Sequence, residues 1–229
     1  MNYTAGQGIS LELRDAPEMC VPTQRKTITL DEMRVLAWLQ ARASLIIRMD
    51  ALYNVDRRAV AGAIAWEALQ NIKGAFGVWP GPGKVHALAT KKIFGVSVPN
   101  PFGKSVAEEV EELGYVRRQS GIKARYKALK DTETSVAYIA AIMRAAADVA
   151  EQNGFVMNNN PVALTEFYQG WDLDRWRSHM SRKKRGSTFE GPDAMPRWVS
   201  QNLDYLEDAV GKPSLSPACR DTRIGEPVR

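Results

Sequence analysis

A carboxylate on the apolar side of a helix constrains this chain more than any other feature. Residues 54–71 read as an amphipathic helix, with Asn54 as N-cap and Asp56 in the first turn, where an acid complements the helix dipole. Val60, Ala63 and Ile64 form one apolar stripe, and its next member in helical register is Glu67. Trp66 and Leu69 flank it. A charge on the buried side of a helix costs free energy unless it is paired, hydrogen-bonded or used. Desolvation disfavours the ionised form, so the position predicts an acid with a raised pKa, as a general acid requires. The plainer reading is a structural ion pair, or a place at the solvent boundary of the helix.

The remaining pattern predicts a mainly α chain. Residues 1–28 are polar and read as a leader, residues 29–211 as one helical domain, and residues 212–229 as an irregular tail. Thr29 and Glu32 form a capping box that opens a helix of roughly twenty residues, with Met33, Leu36, Ala37, Leu39 and Leu45 on its apolar side. Residues 74–100 change texture: Gly74, Gly77, Pro80, Gly81, Pro82 and Gly83 punctuate short β-branched runs, which predicts loops and a small β-hairpin. Ser105 and Glu108 make a second capping box, opening a short acidic helix that Gly114 ends. The longest helix is expected over residues 132–153, with Val136, Ile139, Ala140, Met143, Ala147 and Ala150 on one stripe and Gly154 as its stop. Its alanines allow close packing, which makes it the expected central helix of the core. Asn160 and Pro161 start another helix that ends at Gly170, and two more are expected over residues 172–182 and 196–210.

The net charge of +5 and pI near 9.2 permit attraction to anionic polymers without choosing among them. The dense basic run at residues 182–185 reads first as a solvated loop. No window is apolar enough for a membrane span, and no basic start with an apolar run marks a secretory signal. Cys20 and Cys219 lie in the flanking segments without metal-like spacing, and read as free thiols before a disulfide. His86 and His179 are too isolated to suggest a metal site, and no cofactor is expected.

The order of parts carries a resemblance. A helix ending in Ala63-Ile64-Ala65-Trp66-Glu67 is followed by the Gly-rich stretch 81–86, then by Tyr138-Ile139-Ala140-Ala141 in the long helix, then by Phe167-Tyr168-Gln169-Gly170. This sequence of elements over residues 54–172 resembles the lysozyme-like superfamily, and within it the lytic transglycosylases and goose-type lysozymes. The resemblance implies a lysozyme-like helical domain with a loop or hairpin insertion after the catalytic helix. It also implies a catalytic Glu67, with Tyr168 positioning the acid or the substrate. Gly81, Gly83, Lys84, His86, Glu166 and Gln169 would line the substrate cleft. The chain departs from the family pattern at Ala68, where transglycosylases commonly carry Ser. It departs again at Lys84 or His86, where a cleft Gln is usual, and at Gln169, where Asn is usual.

The implied reaction is cleavage of the β-1,4 bond between N-acetylmuramic acid and N-acetylglucosamine in peptidoglycan glycan strands. Glu166 and Asp172 are the candidates for a second carboxylate, each with a plainer reading: a solvated helix residue and an N-cap. Trp79, Trp171 and Trp176 could stack on sugars or serve as core, with core favoured for Trp176. The expected route is synthesis in the cytoplasm and action in the periplasm or cell wall. That route suits an antibacterial effector carried by a secretion machine and countered by an immunity protein, or else a phage endolysin. Gly103-Lys104-Ser105 lacks the earlier Gly of a phosphate-binding loop, since Val98 stands there. The rival reading is a non-enzymatic basic helical module that binds nucleic acid or a protein partner. It gives no reason for Glu67.

Overall fold

The computed structural model describes residues 28–71, 106–189 and 193–212. Most of the expected leader with Cys20, the Gly/Pro-rich segment with its expected hairpin, and most of the tail with Cys219 lie outside them. Among the described residues the chain forms ten helices and no strand. These are α1 (Leu30–Gln40), α2 (Ala43–Tyr53), α3 (Arg57–Asn71), α4 (Val106–Glu112), α5 (Ile122–Ala128), α6 (Thr132–Gln152), α7 (Pro161–Gly170), α8 (Leu173–Arg182), α9 (Ala194–Gln201) and α10 (Leu203–Val210).

The capping box at Thr29 forms as expected. The Thr29 N–H donates to Glu32 Oε2 at 2.7 Å, and the Glu32 N–H to Thr29 Oγ1 at 3.2 Å. The single long helix expected beyond it breaks at Ala41 and Arg42 into α1 and α2. No Gly or Pro marks that break. The two halves follow different partners, α1 packing on α10 and α2 on α6. The apolar side also shifts: Val35, Leu39, Ile46 and Met49 are buried, while Met33 and Ala37 are exposed.

Asn54, expected as the N-cap of α3, instead closes α2 in the left-handed region at φ 50°, which Asn tolerates. Asp56 takes over the start of α3, its Oδ1 accepting the Arg58 N–H at 2.8 Å. The helix it opens is not amphipathic. Ala59, Val60, Ala61, Ala63, Ile64 and Ala65 are all 3% exposed or less. Small residues let neighbours close in on every side, and a Cβ added at Gly62 would lie 2.6 Å from Val199 Cγ2. The central helix is therefore α3, packed on α1, α2, α6, α7, α9 and α10. The long helix α6, expected in that role, flanks it and packs on α2, α3, α4, α7 and α8.

The expected starts at Asn160 and Asp172 and the stops at Gly114 and Gly154 hold, while the Ser105 capping box lies outside the described residues. Asn160 Oδ1 accepts the Ala163 N–H at 3.0 Å ahead of Pro161, and Asp172 Oδ1 accepts the Arg175 N–H at 2.7 Å. Gly114 and Gly154 follow α4 and α6 with φ of 80° and 82°. The helix expected over residues 196–210 is two helices, α9 and α10, parted at Asn202, whose side-chain amide donates to the Trp198 carbonyl at 2.7 Å. Helix α5 was not expected from the sequence. Gly121 precedes it without a side-chain cap, so it carries no start signal.

Candidate functional site

Glu67 lies near the C-terminal end of α3, about 15 Å along the helix from Arg57 at the usual rise per residue. It is half-buried, as is Trp66. The expectation of a carboxylate sealed in the core is corrected to one at the rim of the core. The Trp66 ring meets Trp198 of α9 at 6.2 Å between centroids, and Trp198 meets Tyr205 of α10 at 6.0 Å. These aromatic contacts tie the C-terminal end of α3 to α9 and α10.

The packing of α3 on α7 puts Tyr168 within electrostatic reach of Glu67. Tyr168 is 3% exposed, and its hydroxyl has no hydrogen-bond partner among the described residues. Burial, and then the negative charge of Glu67, push the Tyr168 pKa well above its ordinary value. The phenol stays neutral and keeps its proton to donate. A buried hydroxyl left unpaired costs about 1–3 kcal/mol, so such groups are few in folded chains.

The neighbours of Tyr168 on α7 do other things. Gln169, expected in the cleft, has its Oε1 taken by the Met195 N–H at 2.7 Å, which ties α9 to α7. Glu166 is 7% exposed, which overturns its reading as a solvated helix residue. Two positions from Tyr168 on a helix, it lies on a different face. Phe167 and Trp176 are core, their rings 5.4 Å apart edge to face, while Trp171 is half-buried. Gly81, Gly83, Lys84, His86 and Trp79 lie outside the described residues. In the basic run, Arg182, Lys184 and Arg185 are exposed, as expected of a solvated loop. Lys183 Nζ donates to the Thr188 carbonyl at 2.9 Å and sits 4.4 Å over the Phe189 ring.

Two carboxylates were missed in the sequence. Glu111 on α4 has a side chain 1% exposed. Its oxygens accept from Arg125 Nε at 2.6 Å, Arg125 Nη2 at 2.9 Å, the Tyr138 hydroxyl at 2.6 Å and the Gln119 N–H at 3.2 Å. Burial pushes this carboxyl up, but those donors outweigh it and hold its pKa below the ordinary value. Glu109, two residues earlier, accepts the Leu173 N–H at 3.4 Å. Burial, with added repulsion from Asp174 and Asp172, pushes it up to about 7. Neither stood out, because on a short helix of Val-Ala-Glu-Glu-Val-Glu-Glu every acid reads as solvated.

Among the described residues, no group of three His, Cys, Asp or Glu side chains is placed to hold a metal, and no helix is long and apolar enough to cross a membrane. No protein-family model matches this chain, and comparison with curated proteins and with solved structures gives no match.

Proposed function

We propose that the protein is a lysozyme-like, peptidoglycan-cleaving glycosidase with Glu67 as its general acid. The observation that carries this reading is the coupling of Glu67 to a fully buried tyrosine hydroxyl that has no partner among the described residues. An acid at the rim of the core, within electrostatic reach of a buried neutral donor with no partner among the described residues, suits a site completed by substrate. The order of sequence elements from Glu67 to Tyr168 supplies the reaction class.

In this mechanism protonated Glu67 gives its proton to the glycosidic oxygen, and the sugar–oxygen bond breaks as the ring takes oxocarbenium character. Tyr168 donates a hydrogen bond to the substrate's N-acetyl group or holds the acid in position. The Glu67 carboxylate then takes a proton from one of two sources. From the muramic 6-hydroxyl, ring closure gives an anhydro-sugar. From water, hydrolysis gives a reducing end. Asp172 is occupied as the cap of α8, which leaves Glu166 as the second carboxylate to test. An effector of this kind would be held off in producing cells by an immunity protein covering the Glu67 end.

Mass spectrometry of products from purified peptidoglycan tests the reading. Wild type should release muropeptides, and Glu67→Gln, checked for an unchanged melting temperature, should release at least about 100-fold less. Release by Glu67→Gln at the wild-type rate, or none by folded wild type, would overturn it. The second result would favour the binding-module reading.

A further inference from the structure

At the opposite end of α3 from Glu67, the helix start is tied to the loop after α6, with the Asp56 N–H donating to the Asn158 carbonyl at 2.8 Å. Beside that tie lies an open cavity of about 740 Å³, bounded by the end of α2, Tyr115, the last turns of α6 and the loop at residues 155–158. Small-ligand sites run from about 300 to 1,000 Å³, so the size suits one or two sugar rings.

Three polar groups on its wall are unspent. The side-chain amides of Asn54 and Asn158 have no hydrogen-bond partner among the described residues. Arg144 engages Asp148 and Glu151 through Nη2 alone, which leaves its Nε–H and Nη1–H groups to a ligand. The aromatic parts are fixed in advance. The Tyr53 hydroxyl donates to the Tyr115 carbonyl at 3.1 Å, and the Tyr115 hydroxyl to Asp148. Phe155 and Met157, each 1% exposed, back an apolar floor whose exposed part is Leu52 and Val156.

Charge narrows the ligand. The charged residues on the wall, Arg144 and Glu151, balance, and Arg144 is also paired with Asp148, so the wall suits a neutral molecule rich in donors and acceptors. We propose that this cavity binds an N-acetylhexosamine unit of a glycan chain, at a second site remote from Glu67. Each hydroxyl of the sugar can both donate to an amide oxygen and accept from an amide or guanidinium N–H. The acetamido group pairs with an Asn amide and sets its methyl on the apolar floor. A neutral peptide brings only one donor and one acceptor per residue, and so matches the wall less fully. The choice of glycan rests on the glycosidase reading. A second hold on the same polymer would keep the protein on its substrate between cleavage events.

The test uses full-length protein carrying Glu67→Gln and the β-1,4-linked tetramer of N-acetylglucosamine, followed by amide chemical shifts. Shifts are expected at residues 52–54, 115 and 155–158. Adding Asn54→Gly, which keeps the left-handed backbone, and Asn158→Ala, which keeps the carbonyl, should weaken that binding about tenfold and leave the melting temperature unchanged. The same pair with Glu67 intact should cleave short soluble glycans at the wild-type rate. No shifts there with the tetramer, or unchanged binding by the pair, would overturn the inference, and shifts with an acetylated dipeptide alone would assign the cavity to peptide. Because binding is read without the Glu67 acid, failure of the glycosidase reading shows separately, as absent product from wild type.

Discussion

Two tyrosine–carboxylate pairs sit in this bundle, and they are finished differently. Glu111 and Tyr138 meet at 2.6 Å, with Arg125 filling both carboxylate oxygens. Every strong group there is spent inside the fold. Tyr168 is buried as deeply and feels the charge of Glu67, yet its hydroxyl bonds to nothing among the described residues. Burial of a polar group is therefore not the mark of a site by itself. A closed network rigidifies a core, whereas an open one stores a hydrogen bond for something that arrives later.

The sharpest way to break the contrast is to open the closed pair. Glu111→Ala leaves Arg125 buried without its main partner and should cost about 3–5 kcal/mol in a denaturation midpoint. Loss of under about 1 kcal/mol would mean that the network is not structural. Next come the tyrosines. Tyr138→Phe should destabilise by about 1 kcal/mol, because it removes a made hydrogen bond. Tyr168→Phe should be neutral or stabilise by up to about 1 kcal/mol, because it removes an unmade one. Opposite signs on melting sharpen the comparison, and equal losses break it.

Two smaller effects test the frame around the pairs. Gly62→Ala gains about 1 kcal/mol of helix propensity but forces a methyl against Val199, so overpacking should leave a net loss of about 1 kcal/mol. Glu109 has a pKa raised from 4.5 to about 7 in the fold. The folded state binds its proton more tightly than the unfolded state, so stability contributed by this group falls as pH rises from about 4.5 through about 7. Glu109 is half-exposed and screened by solvent, so Glu109→Gln should gain only about 1 kcal/mol at pH 8 and nothing at pH 4. Denaturation of both proteins across that range reads the difference.

What was legible in the sequence follows from what each signal encodes. Caps are local chemistry, and Thr29, Asn160 and Asp172 were readable because one side chain and one nearby N–H decide them. The breaks at Arg42 and Asn202 were not, because partners distant in the chain decide them. The sequence marks the helix with Glu67, but its buried surface is wider than the one stripe the pattern shows. Alanine scores weakly in any apolar pattern, yet Ala59, Ala61 and Ala65 are as buried as Val60. Its register on that stripe implies more burial than Glu67 has, and only the resemblance links it to Tyr168. Glu111 and Arg125 were invisible because a buried ion pair and two solvated ions have the same spelling.

The most direct measurement is muropeptide release by Tyr168→Phe, set beside Tyr138→Phe and corrected for folded fraction. The account predicts that Tyr168→Phe melts at or above the wild-type temperature and releases roughly 100-fold less product, while Tyr138→Phe melts lower and cleaves normally per folded molecule. Wild-type cleavage by Tyr168→Phe would contradict it, since the unpaired hydroxyl would then be a packing accident and not part of the site.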